Sequence, residues 1–218
     1  LKPCLLGSEW RVERSHLEAE ILAAALRWRE ILRKLDARVV GVEVPLEGNL
    51  DGVPLSGIAD LLLALPQGRL LVVDYKKSRA KKRRIRMEKG FDHQTSLYRV
   101  MLQTGGVSSR IAPGVGQALK EAGEIGQMYY LMDDQLALAN TSGWIQAPVY
   151  GIEEMPGDVS AEAMALIRQR LAEVRAGRIQ LNRVDDPERL DKIGMKLYAL
   201  EDLPLLSLFL HPKEEEES

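Results

Sequence analysis

Cysteine is nearly missing from this chain: Cys4 is the only one in 218 residues. One thiol cannot close an internal disulfide, and its scarcity fits a reducing compartment, so an intracellular, cytoplasmic setting is expected. Long hydrophobic runs are missing too. No eighteen-residue apolar stretch occurs, which excludes a membrane-spanning helix, and the start shows no secretory pattern. The chain opens on Leu1 rather than methionine, as a processed chain or a domain of a longer protein does. The spacing Gly-x-x-x-x-Gly-Lys-Ser/Thr is absent, so a P-loop motor is excluded. Neither sign of charge dominates: 30 basic residues face 32 acidic ones, a net of −2, which argues against general coating of nucleic acid. Histidine is limited to three, so each one near carboxylates carries information.

What is present is a pair of carboxylates and a lysine on two successive strand patterns. Residues 58–65 form an apolar run that contains Asp60. Pro66, Gln67 and Gly68 follow as a turn signal, and the β-branched run 69–75 ends in Asp74 and Tyr75, just before Lys76. An antiparallel hairpin through that turn returns Asp74 to the level of Asp60. An acidic residue at a strand end is commonly a solvated cap, and Asp-x-Lys alone is a weak signal. Here both carboxylates sit where the runs should be buried, and an ionised carboxylate is costly there unless paired or metal-bound. Two carboxylates and a lysine suit a divalent metal and an activated water, hence phosphodiester cleavage.

Upstream, Leu17, Ile21, Ala24, Ala25, Trp28, Ile31, Leu32 and Leu35 recur at helical spacing and predict one apolar stripe. His16 and Glu20, four apart, flank it. A lone histidine beside a core stripe is more often structural than a ligand. Residues 39–45 alternate like a strand. Downstream of Asp74 lies the densest basic cluster of the chain, Lys76, Lys77, Arg79, Lys81, Lys82, Arg83, Arg84 and Arg86. A charge run is usually a solvated face, yet one beside a candidate metal site suits a polyanion, because basic side chains neutralise phosphates and release counterions. A helix is expected over 87–103, with Gln94 and Tyr98 on one face. The glycine-rich stretch 105–126 reads as a loop, 128–132 with 136–138 as another hairpin, 144–150 as an edge strand and 161–176 as a helix. The length suits a single domain over 1–218, with an acidic tail, 212–218, expected to be disordered.

In order, Ser15 to Glu20 around His16, Gly57-Ile58-Ala59-Asp60, Val72-Val73-Asp74-Tyr75-Lys76 and Gln94-Thr95-Ser96-Leu97-Tyr98 resemble the motifs of the PD-(D/E)XK nuclease superfamily, and within it the RecB-like branch. That branch holds the RecB and AddB nuclease domains and CRISPR-associated relatives. The resemblance covers residues 15–98 and implies an α/β, restriction-endonuclease-like core, a central mixed sheet flanked by helices. It also implies a Mg²⁺- or Mn²⁺-dependent deoxyribonuclease, expected to be an exonuclease on single-stranded or duplex DNA ends in repair, recombination or end processing, with a helicase in the same or another chain as a further partner. Asp60, Asp74, the main-chain carbonyl of Tyr75 and His16 would hold the metal. An imidazole ligand favours Mn²⁺. Glu20 would hold a second metal or orient His16. Lys76 would orient the attacking water, and Gln94 and Tyr98 would hold the substrate strand. Many RecB-like relatives also carry an iron–sulphur cluster on four cysteines. Cys4 alone cannot build one, so no cluster is expected, and the leucine-rich stretch 178–209 is expected to clasp the domain instead.

Two other readings stay open. A nuclease-like partner of a helicase that binds DNA without cutting has no chemical need for His16, Asp60, Asp74 and Lys76 together. A hydrolase of a small phosphate compound has no need for so long a basic run.

Overall fold

A computed structural model describes residues 7, 10–107, 113–145, 149–178, 186–192 and 195. Its elements run α1 (Arg11–Lys34), β1 (Arg38–Leu50), β2 (Val53–Leu65), β3 (Arg69–Lys76), α2 (Ala80–Glu88), α3 (Gln94–Thr104), β4 (Gly106–Val107), α4 (Pro113–Glu121), β5 (Glu124–Leu131), β6 (Leu136–Asn140), β7 (Ile152–Glu154), α5 (Val159–Arg175) and α6 (Asp186–Lys192). The strands form one mixed α/β sheet ordered β4-β1-β2-β3-β5-β6-β7. β3 with β5 and β6 with β7 are parallel, and the other pairings are antiparallel.

The two N-terminal hairpins close as their turn residues demand. Asp51 and Gly52 carry φ of 51° and 87°, and Gln67 and Gly68 both 66°. Such left-handed pairs twist the way the strands do. Asn49 Oδ1 accepts the Gly52 N–H at 2.7 Å and pins the first turn.

Strand alternation then assigns the two faces. Leu70 and Val72 of β3 pack with Val44, Leu46, Ala59, Leu62, Tyr98 and Met101 beneath α3 and α4. Leu71 and Val73 pack on the other side with Leu61, Leu63, Met128, Tyr130, Ala24 and Ile31 beneath α1. Asp74 and Lys76 share the parity of Leu70, so they face α3, while Tyr75 faces α1. There its ring meets Trp28 edge-on at 5.7 Å, and Trp28 stacks on Tyr130 at 4.7 Å. Tyr130 donates its hydroxyl to the Ala24 carbonyl at 2.6 Å, which seats α1 on the sheet.

Several expectations are corrected. The helix over 87–103 is two helices, α2 and α3, and α2 takes up most of the basic run. The break falls at Gly90, whose φ of 68° is left-handed and whose added Cβ would lie 2.7 Å from Leu166 Cδ1. A bulky residue cannot continue a helix through that geometry. The stretch 105–126 is no plain loop, since it holds β4, α4 and the start of β5. The edge strand is β7, later than 144–150, of which 146–148 lie outside the described residues. Ile21 and Ala25 are exposed rather than part of the α1 core stripe. The clasp expected over 178–209 falls largely outside the described residues, as does the tail 212–218. Among the described residues no helix is long and apolar enough to cross a membrane.

Candidate active site

The hairpin of β2 and β3 brings its two carboxylates together. Its ladder runs from Leu65↔Arg69 to Leu61↔Val73, so Asp60 and Asp74 are the next pair along. There the backbone pairing gives way to a side chain: Asp60 Oδ2 accepts the Tyr75 N–H at 2.7 Å. That bond leaves the strands splayed and fixes the Asp60 carboxylate at the end of β3.

Asp74 is fully buried, and among the described residues its Oδ1 has no hydrogen-bond partner. Its one strong contact is with Lys76, whose Nζ stands 2.6 Å from Oδ2. Burial raises the Asp74 pKa. The Lys76 ammonium pulls it back down, the Asp60 carboxylate raises it, and Arg83 lowers it. A buried carboxylate with unmatched lone pairs, beside a second carboxylate, is a donor set for a hard, oxygen-seeking cation. These residues therefore fit a divalent metal ion. Tyr75 contributes only its main chain here, since its ring is packed under α1 and burial holds its hydroxyl pKa up at about 12.

Gln94 and Tyr98 stand on α3 above this face, with Gln94 Nε2 donating to the Tyr98 hydroxyl at 2.8 Å. Burial raises the Tyr98 pKa; the Gln94 bond lowers it, and the carboxylates of Asp74, Asp60 and Glu43 raise it further. The expected cluster of Asp60, Asp74, Lys76, Gln94 and Tyr98 is thus assembled in one place. Gly57, on β2, makes room for it: an added Cβ would lie 3.1 Å from the Tyr98 ring.

His16 and Glu20 are not drawn into that cluster. They lie on α1, across the sheet from Asp74, and pair with each other at 3.2 Å while largely exposed. Glu20 approaches the site only through Lys77, at 4.0 Å. Among the described residues no group of three or more histidine, cysteine, aspartate or glutamate side chains is close enough to hold one ion.

The basic run divides by helix geometry. Arg83 Nη1 donates to Asp92 Oδ2 at 2.5 Å and lies over the Tyr129 ring. Arg84 pairs with Glu153. These two arginines face inward and tie α2 to the fold. Arg86 is half-buried, and Lys77, Arg79, Lys81 and Lys82 are exposed. The exposed four present positive charge at the surface around the start of α2.

Two features escaped the sequence reading. Glu43 falls between the pairs Val42↔Leu61 and Val44↔Ala59, so it stands opposite Asp60, with a left-handed φ of 50°. Its signal was an acidic residue inside an apolar alternation. The second is a buried network. Tyr129 donates its hydroxyl to Asp92 Oδ1 at 2.5 Å and accepts the Thr95 N–H at 3.2 Å. It anchors the first turn of α3, and so Gln94, to β5. Nothing local in the sequence announces a contact between residues 37 apart.

Comparison with protein families finds that the model described as the PD-(D/E)XK nuclease superfamily matches residues 5–188. No curated protein matches the chain.

Proposed function

Because the chain belongs to the PD-(D/E)XK nuclease superfamily, whose members are generally phosphodiester hydrolases, we propose that it is a metal-dependent deoxyribonuclease centred on Asp60, Asp74 and Lys76. The observation that carries this reading is the buried Asp74 carboxylate, its Oδ1 without a partner among the described residues, beside Asp60 and the Lys76 ammonium. Nucleases of the superfamily usually use divalent ions such as Mg²⁺. Asp60, Asp74 and the Tyr75 carbonyl would hold the ion here, either Mg²⁺ or Mn²⁺. When bound, such an ion lowers the pKa of a coordinated water and offsets charge on the scissile phosphate.

The chain's own residues do the rest. Lys76 is the one cation whose charge lies against Asp74 at hydrogen-bond range among the described residues. It orients the attacking water and donates to phosphate oxygens as negative charge develops there. Arginine is a poor replacement, since its proton is effectively fixed and its planar fork fills a different space. The Tyr98 hydroxyl is a protonated phenol at neutral pH, so with Gln94 it can donate to a phosphate beside the cleavage point. Lys77, Arg79, Lys81 and Lys82 receive the polyanion. His16 and Glu20 enter only as residues that a bound ion would have to draw in.

Action on DNA ends, a role in repair and service beside a helicase rest on the RecB-like spacing of the motifs. The test is cleavage of end-labelled linear single- and double-stranded DNA and of a closed circle, with Mn²⁺, Mg²⁺ or EDTA, beside Lys76→Ala. Metal-dependent loss of linear DNA alone, abolished by Lys76→Ala, is the expected result. Cleavage of the circle makes the protein an endonuclease. Binding without cleavage, unaffected by Lys76→Ala, overturns the reading in favour of an inactive DNA-binding partner.

A further inference from the structure

α2 carries an arginine where its neighbours are apolar. Ala80, Arg83 and Met87 fall at i, i+3 and i+7, on the helix face that packs against Tyr129, Leu131 and Leu138 of the sheet. Ala80 and Met87 are 4% and 2% exposed, and the Arg83 side chain 13%. Arg83 Nη1 donates to Asp92 Oδ2 at 2.5 Å, and its guanidinium lies over the Tyr129 ring at 4.7 Å. The Tyr129 hydroxyl donates to the other oxygen of Asp92, so that carboxylate is matched on both sides. A buried ion pair is a costly way to hold a helix down, and an apolar pair of similar volume often holds as well or better. Packing alone does not account for this one.

Its place in the sheet does. Tyr129 is the parallel partner of Asp74, and partners in a ladder share a face. Arg83 therefore hangs one strand over from Asp74, strands being about 4.8 Å apart. Its charge is felt there: burial raises the Asp74 pKa, and Arg83 is among the cations that lower it, after Lys76. The Asp92 bond engages one nitrogen of the guanidinium fork and Tyr129 one face, which fixes its plane and leaves further N–H donors on it. Such a fork matches the oxygens of a phosphate.

We propose that Arg83 is a substrate-positioning residue: it grips the phosphate next to the scissile one while Asp92 and Tyr129 hold it in place. This rests on the nuclease reading and deepens it. Lys76, against Asp74, serves the scissile phosphate, and Arg83, one strand along, meets its neighbour. Tyr98 stands on the β2 side, against Gly57, so the two grip opposite flanks of the cut. The exposed Lys81 and Lys82 of the same helix receive the backbone beyond. Exposed lysines follow a backbone as mobile point charges, whereas a guanidinium locked in a buried pair fixes one register. Arg83 thus sets which bond lies over Asp74.

The test measures binding of the full chain to single-stranded oligonucleotides held on streptavidin at one end. Each carries one uncharged methylphosphonate, placed at successive positions from the free end, in two series that leave either end free. Ca²⁺ replaces Mg²⁺ or Mn²⁺. The wild type is compared with Arg83→Gln combined with Asp92→Asn, which removes both charges and leaves no unpaired buried ion. At one position the wild type should lose affinity at least about tenfold, and the double variant should lose nothing there. A change that merely loosened α2 would weaken every oligonucleotide alike and keep the wild-type pattern of losses, which overturns the proposal. Should the double variant not fold, Arg83→Lys keeps the ion pair but not the fork, and the loss should shrink to about threefold or less; an undiminished loss overturns the proposal. Cleavage of the unmodified oligonucleotide by the wild type with Mn²⁺ marks the scissile phosphate and tests the nuclease reading by itself. An Arg83-dependent loss anywhere but next to that phosphate overturns the proposal. An Arg83-dependent loss without any cleavage upholds the phosphate contact and overturns the nuclease reading instead.

Discussion

Asp74→Asn is expected to make the metal-free protein more stable. The carboxylate is fully buried, its Oδ1 has no hydrogen-bond partner among the described residues, and its close counter-charge is Lys76, itself partly exposed, with a weaker pull from Arg83. Asparagine keeps the shape and removes the charge, and the freed ammonium can hydrate. An unsatisfied buried polar group costs about 1–3 kcal/mol, more when charged, and a half-matched amide gives part of that back. The net expected gain is about 1–2 kcal/mol at neutral pH. The sign with pH follows from the direction of the shift. Burial raises the folded carboxyl above its ordinary 3.8. The native state therefore holds its proton after the unfolded chain has released it, and wild-type stability declines as pH rises through that window and then levels off. In Asp74→Asn that decline is absent. Urea unfolding in EDTA from pH 3.5 to 8 reads the difference. The two proteins should be nearly equal at the acid end, with the variant's midpoint about 0.5 M higher at the neutral end. Equal midpoints at pH 8, or a more stable wild type there, would refute the account of Asp74 as a charge waiting for a cation. Added Mg²⁺ or Mn²⁺ should close the gap by stabilising only the wild type.

Lys76→Met should lower cleavage by at least ~10²-fold, because it removes both the donor at the phosphate and the charge that holds Asp74 ionised; single-turnover cleavage at saturating metal measures it. Tyr129→Phe leaves Asp92 Oδ1 and the Thr95 N–H without their shared partner, so a loss of about 2 kcal/mol is expected by urea unfolding, and an unchanged midpoint would show that the network is idle. Lys81→Ala with Lys82→Ala should reduce the salt slope of DNA binding by up to about 1.8, whereas Arg84→Ala, whose side chain pairs with Glu153, should leave the slope alone. Gly90→Ala forces a Cβ against Leu166 at a left-handed φ and should cost roughly 1–3 kcal/mol in unfolding experiments, with no change in salt slope.

Short-range patterns were legible in the chain itself. The apolar runs and turn residues of 58–75 specify a hairpin, and its turn at Pro66, Gln67 and Gly68 sets the register that brings Asp74 to the level of Asp60. The single cysteine, the absence of a long apolar stretch and the clustering of basic residues after Asp74 were equally plain. The order of motifs from His16 to Tyr98 then pointed to the family and to an α/β core. Tertiary structure decided whatever depends on contacts far apart in sequence. It set α1 on the side of the sheet away from Asp74, which leaves His16 and Glu20 with each other. It turned Arg83 and Arg84 inward, because Asp92 and Glu153 lie where α2 docks. It broke the expected long helix at Gly90, since α5 packs against that point. It placed Glu43 across from Asp60 on a strand whose alternation gave no hint of a neighbour. Periodicity reports the face of an element, which is a local property of backbone geometry; which elements share that face is set by packing, and no local pattern encodes it.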